Sequence, residues 1–177
     1  RRIAARDVDS VRCDSEAGAY ALARHLVDLG HRRIAVLTGR RNVSTSVDRV
    51  AGCRRALEEA GCALPDEMVH WGGFNFGKSN QADGHRMARE MLAAPGEPPT
   101  AVFCANNFIG FGAIRALREA GLRVPDDISV VAFDDLPEEW VSEPFLTVAA
   151  QPAYDIGQRG ATLLLDQISG NHEPTGE

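Results

Sequence analysis

Residues 124–135, VPDDISVVAFDD, constrain the fold more than any other stretch of the chain. A turn of Pro125, Asp126 and Asp127 feeds residues 128–133, which are mostly apolar and rich in β-branched side chains. Such a run is too short for a helix and has no polar alternation. It fits a strand buried on both faces of a parallel sheet. A strand of that kind needs helices on its faces and parallel neighbours reached by crossovers. Two carboxylates, Asp134 and Asp135, stand just past its end. Open α/β sheets bind ligands outside the carboxyl ends of their strands, so this end is an acceptor-rich edge suited to a small polar ligand.

The layout recurs upstream. Residues 101–105 form an apolar strand that ends in the amides Asn106 and Asn107. Ile109, Ala113, Ala116, Leu117 and Ala120 follow at helical spacing, and Gly121 predicts a left-handed helix end. Residues 33–37 predict another strand, with Thr38 and Gly39 at its end and a helix over residues 47–60 beyond a polar loop. Gly61 stops that helix, and Arg49 is expected in its first turn. Residues 67–71 predict a further strand, followed by an aromatic loop with Phe74 and Phe76. Right-handed crossovers between parallel strands would bring Arg49, Phe74, Asn106 and Asp134 to one rim. Two more helices, over residues 15–29 and 156–168, frame these units.

Composition supports a globular α/β chain. Of 177 residues, 44% are hydrophobic and 25% charged, enough for one sizeable core. No apolar run approaches the roughly 20 residues of a membrane-spanning helix. The net charge of -6 argues against nucleic-acid binding by these residues alone, because phosphate contacts need clustered Lys and Arg. The short basic pairs Arg32-Arg33 and Arg40-Arg41 flank a strand and read as solvated edges rather than a phosphate site. Cys13, Cys53, Cys62 and Cys104 form no C-x-x-C pair and have no histidine cluster beside them, so no metal site is expected. Unpaired thiols suit a reducing cytoplasm.

In their order and spacing, several segments resemble the effector-binding domain of the lactose-repressor family of bacterial transcription regulators. They are Gly30-His31-Arg32-Arg33-Ile34-Ala35, Arg49-Val50-Ala51-Gly52, Pro99-Thr100-Ala101-Val102-Phe103, Asn106, residues 124–135, Pro144-Phe145-Leu146-Thr147 and Gln151-Pro152. The resemblance covers almost the whole chain. It implies an α/β, periplasmic-binding-protein-like fold of two doubly wound parallel-sheet lobes, one of them only partly present. Residues 1–32 and 148–170 would belong to the partial amino-side lobe and residues 33–147 to the carboxyl-side lobe, with 171–177 a connector. It also implies a small-molecule effector, a sugar or related metabolite, bound between lobes. The partners it implies are a homodimer mate and operator DNA, the latter met through a helix-turn-helix absent from these residues. Three departures stand out: Asn107 replaces a usual Asp, Ala132 a usual Gly, and Val148-Ala149-Ala150 a usual Thr-Val-Arg run.

Each candidate residue has a plain alternative. Asp134 accepts hydrogen bonds from ligand hydroxyls or caps a turn. Arg49 offers a planar fork to hydroxyls, a carboxylate or a phosphate, or pairs with Asp48 or Glu58. Asn106 suits a neutral polyol or base while capping a helix. Phe74 covers a ligand face or joins the core. Thr45 and Gln151 match weaker contact positions. The resemblance selects the ligand-contact reading for Arg49, Asn106 and Asp134. His31, at a helix end, is expected to meet terminal carbonyls. No nucleophile elbow and no phosphate-loop fingerprint occurs, so the chain reads as a sensor and not an enzyme, with no cofactor. A stand-alone periplasmic solute-binding protein of a transporter is the alternative.

Overall fold

A computed structural model of the chain describes residues 9–73, 78–135 and 145–171. In order, its elements are α1 (Ser15–Asp28), β1 (Ile34–Thr38), α2 (Ser44–Glu59), a 3-10 turn (Asp66–Met68), β2 (Val69–Trp71) and α3 (Lys78–Ala93). Then come β3 (Ala101–Cys104), α4 (Asn107–Glu119), β4 (Ser129–Phe133), β5 (Thr147–Ala149) and α5 (Ala153–Ile168). Among the described residues the strands form one sheet in the order β2-β1-β3-β4-β5, and every pairing is parallel. This is a doubly wound order in which the strand sequence reverses direction between β1 and β3.

The short apolar runs become strands because both faces of the sheet are covered. All of Ile34–Thr38 and all of Ala101–Cys104 are buried. Ala35 and Leu37, Val102 and Cys104, and Val130 and Ala132 join one core cluster with Met87, Ala88 and Met91 of α3 and Ile109, Ala113 and Leu117 of α4. Strand alternation turns Val36, Phe103, Val131 and Phe133 to the opposite face. That is the side of α1 and α2, whose Leu22, Leu26, Cys53 and Leu57 are also buried. Burial pushes the Cys53 and Cys104 thiols up, as expected of core residues.

Helix pairs on each face meet at glycines. A Cβ on Gly52 of α2 would lie 2.2 Å from the Glu16 carbonyl oxygen of α1. A Cβ on Gly84 of α3 would lie 2.2 Å from the Ile109 carbonyl oxygen, and one on Gly112 of α4 only 1.9 Å from that of Gln81. The helix backbones are therefore in direct contact, and no residue with a side chain fits at these points. Ala132, the departure from the usual Gly, sits in regular strand, and its methyl is 3.4 Å from where a Cβ on Gly110 would be.

The chain divides into two compact units, Ser15–Ala150 and a second whose described parts are residues 9–14 and 151–171. These unit bounds differ from the lobe bounds at 32/33 and 147/148 that the resemblance implies. Helix α1 packs on α2 in the sheet-bearing unit, burying Ala19, Leu22, Ala23 and Leu26, and β5 pairs with β4. Its own apolar face could not reveal to α1 which sheet it would cover. In the second unit Gln167 Nε2 donates to Asp9 Oδ2 at 2.7 Å, and α5 leaves Leu164, Leu165 and Ile168 exposed.

Two local expectations also change. Helix α2 begins at Ser44, so Arg49 lies in its second turn and not its first. His31 does not meet helix-end carbonyls through its ring. Its Nδ1 is 2.9 Å from Thr100 Oγ1 and its Nε2 3.0 Å from Ser129 Oγ, tying together the starts of β3 and β4.

Candidate functional site

The strand registers put Trp71 beside Thr38, and Leu37 beside Cys104, which pairs with Ala132. The carboxyl ends of β2, β1, β3 and β4 therefore reach one rim, with the reversal between β1 and β3 at its centre. Backbone bonds hold the rim level: Gly72 N donates to Thr38 O and Ala105 N to Leu37 O, both at 2.8 Å.

Arg49 is the centre of this rim. It is 8% exposed, so its charge has left most of its water and needs other contacts. Its guanidinium carbon lies 3.7 Å from the centroid of the Phe133 ring, Nη1 donates to the Ala105 carbonyl, and Nη2 is 3.6 Å from Asp134 Oδ1. Helix α2, which follows β1, thus sends one side chain across the ends of β3 and β4. The Asp134 carboxylate in this pair comes from a strand end far along the chain.

Asp134 reaches that position through its backbone. Its φ of 72° is left-handed, a conformation that Asp tolerates better than most residues with a side chain. Its N–H donates to Ala149 O at 3.0 Å, which anchors the turn to β5. The Val148-Ala149-Ala150 departure thus keeps a backbone role beside the site. Asn106 caps α4, its Oδ1 accepting from Ile109 N at 2.8 Å, and it adjoins the Ala105 carbonyl that holds Arg49. Asn107 donates from Nδ2 to the Asp135 carbonyl at 2.6 Å. An ionised Asp could not make that bond, so the exchange gives the ends of β3 and β4 a direct tie.

Of the residues expected at the site, Arg49 and Asp134 are in contact and Asn106 is adjacent. Thr45 lies four residues before Arg49 on the same helix, a spacing that puts both on one face. Gln151 belongs to the second unit, where its carbonyl accepts from Ala153 N at 2.8 Å. Phe74 lies outside the described residues. Residue reading missed Phe133, the platform under Arg49, although strand alternation already turned it to the α2 side. It also missed Thr38, fully buried at the end of β1, whose hydroxyl has no hydrogen-bond partner among the described residues.

A groove of about 530 Å³ lies elsewhere, lined by Arg89, Leu92, Ala93, Ala116, Glu119 and Ala120 of α3 and α4 and the turn after it. Its walls are mainly small apolar groups and exposed charges. Convergent polar groups stand at the rim instead, where a planar donor fork, a carboxylate and an amide adjoin. Among the described residues no group of three or more His, Cys, Asp or Glu is placed to hold a metal ion, and no helix is long and apolar enough to cross a membrane.

A doubly wound parallel sheet with convergent polar groups at its reversal point is the arrangement in which open α/β folds bind ligands. The chain belongs to the periplasmic binding protein-like domain family, whose model matches residues 23–177. It is 32% identical over 170 residues to the HTH-type transcriptional repressor CytR of Escherichia coli (strain K12), covering 96% of this chain and 48% of that protein. It is 37% identical over 165 residues to the HTH-type transcriptional repressor PurR of Erwinia tasmaniensis, covering 93% of this chain and 47% of that protein. The chain therefore spans about half the length of the curated relatives it matches. Among solved structures, the transcriptional regulator CelR in complex with cellobiose superposes with a TM-score of 0.81 at 33% identity, covering 96% of this chain and 50% of that one.

Proposed function

We propose that this domain is the ligand-sensing part of a DNA-binding transcription repressor, and that its effector is a small polar molecule of the sugar class. The observation that carries the reading is Arg49, held by Phe133 and the Ala105 carbonyl against Asp134 where the strand order reverses. A donor fork beside a carboxylate matches a pair of neighbouring hydroxyls, each of which both donates and accepts. In this reading Arg49, Asp134 and Asn106 contact the effector directly, and Thr45, Phe74 and Gln151 add further contacts. The names of the relatives support a regulator, and the cellobiose complex of a structural neighbour supports the ligand class. The matched proteins do not favour a stand-alone solute-binding protein.

The remaining parts of the proposal follow from the regulator reading. DNA contact is made by a helix-turn-helix outside these residues, since a net charge of -6 argues against nucleic-acid binding by this domain alone. The protein works as a homodimer in the cytoplasm and catalyses no reaction. The effector changes DNA affinity only as far as its own affinity differs between the DNA-binding and released states.

A thermal-shift panel of sugars, polyols, nucleosides and small acids on the full natural protein tests this. A ligand that binds the folded state alone, at 100 times its Kd, stabilises by about 2.7 kcal/mol. The reading expects a hit among polyhydroxylated compounds, and expects that hit to change operator affinity. No shift across the panel contradicts it.

A further inference from the structure

The rim carries a second guanidinium seated on an aromatic ring. Arg41 lies with its guanidinium carbon 4.7 Å from the centroid of the Trp71 ring. In register, Trp71 pairs with Thr38, two residues beyond Val36; Phe133 lies two residues beyond Val131, and Val36 and Val131 both pair with Phe103. Trp71 and Phe133 thus end β2 and β4 at one level and point to one face. Each supports an arginine supplied by the segment after β1. The two arginines differ in burial and in pairing: Arg49 is buried and faces the Asp134 carboxylate, while Arg41 is exposed and makes no ion pair or hydrogen bond among the described residues.

We propose that Arg41, seated on Trp71, is an anion-binding point that takes a carboxylate or phosphate on the far end of the effector. This rests on the sensor reading and narrows it to an elongated, anionic sugar derivative. Three arguments carry it. The ring fixes the guanidinium plane and leaves its N–H edges for a planar or tetrahedral anion, so less freedom is lost on binding. An unpaired cation beside a bound neutral sugar gains little, whereas one meeting a charged oxygen forms a charge-assisted pair. The spacing sets the length: β2 and β4 are three strand spacings apart, roughly 14 Å, farther than one sugar ring can span from Asp134. Read as sequence, Arg40-Arg41 is a solvated edge; Trp71 beneath Arg41 is what changes that reading.

The test compares matched pairs of probes by calorimetry on the full natural protein: cellobiose against cellobionate, lactose against lactobionate, and uridine against uridine monophosphate. Arg41 is exposed, so Arg41→Ala should fold normally. The proposal expects at least one anionic member to bind about tenfold or more tighter than its neutral counterpart, the ratio to shrink with added salt, and Arg41→Ala to bring it near one while leaving the neutral member's affinity unchanged. Neutral members that bind as well as or better than anionic ones, or a ratio that survives Arg41→Ala, overturn it and leave the sensor reading standing. Absence of binding by every member overturns both.

Discussion

Replacing Gly112 with Ala should destabilise the domain even though alanine is the better helix former. In an open helix the exchange favours folding by up to about 1 kcal/mol. On α4 the new Cβ would meet the Gln81 carbonyl oxygen at 1.9 Å and the His85 nitrogen at 2.6 Å, both backbone atoms of α3. Ordinary contact begins near 3.4 Å, so the helices must part by roughly 1.5 Å, and a backbone carbonyl cannot rotate aside as a side chain can. Overpacking of this kind costs about 1–3 kcal/mol, occasionally more. Because the obstacle is backbone, the upper end applies, and the net loss is about 2–3 kcal/mol. For a chain of this size that lowers Tm by roughly 4–12 °C. Urea unfolding with an unchanged slope and a lower midpoint is the readout. Gly157→Ala in α5 is the internal control: a Cβ there meets nothing within 4 Å, so the same exchange should be neutral or stabilising by up to about 1 kcal/mol. A Gly112→Ala protein as stable as wild type would refute the close α3–α4 crossing.

Further outcomes follow from single contacts. Asn107→Asp removes the donor to the Asp135 carbonyl and sets a negative charge against it, so stability should fall by about 1–2 kcal/mol; an unchanged urea midpoint would show that the tie between the ends of β3 and β4 contributes nothing. Asp134→Ala should destabilise more than Asp134→Asn, because Asn tolerates the φ of 72° and Ala does not; equal melting temperatures would count against backbone strain at that turn. Burial holds His31 and His70 below the ordinary imidazole value, Glu90 opposing and Arg86 adding to the effect at His70. As pH falls, the unfolded chain therefore takes up these protons first. Their contribution is complete above about pH 6.5 and is lost as pH falls from there through the lowered folded values. Urea midpoints at about pH 7.5 and 5.5 should differ in wild type and differ less in His31→Gln/His70→Gln; an equal difference in both proteins would contradict this assignment. Glu119, held low by its hydrogen bond to His85, acts only at more acidic pH.

Much of the fold was legible because buried parallel strands are continuous apolar runs and most were bounded by Gly, Pro or amide signals. Ala101–Cys104 and Ser129–Phe133 fall within one residue of the expected spans. The start of α2 was not legible. Its first residues, Ser44-Thr45-Ser46, resemble a loop, and its cap, Val43, makes no side-chain bond to announce it. The 3-10 turn Asp66–Met68 hid in a predicted strand because Met68 continues the apolar pattern. At the site, the strand-end positions of Asn106 and Asp134 could be read from local sequence. The contact between Arg49 and Asp134 could not, since it depends on strand order and on a left-handed turn that only the folded backbone reveals. His31 was misread for a similar reason: its partners, Thr100 and Ser129, begin strands that are distant in sequence and adjacent in the sheet.

The most direct test of the rim as a sensor site is calorimetric titration of the strongest effector from the panel into wild-type protein and Asp134→Asn. Asparagine keeps the side-chain shape and the left-handed turn, and Arg49 keeps Phe133 and the Ala105 carbonyl. Only the carboxylate charge is lost. The account predicts Kd raised about tenfold or more, with the protein still folding cooperatively. An unchanged Kd would place the effector away from Asp134 and contradict the site.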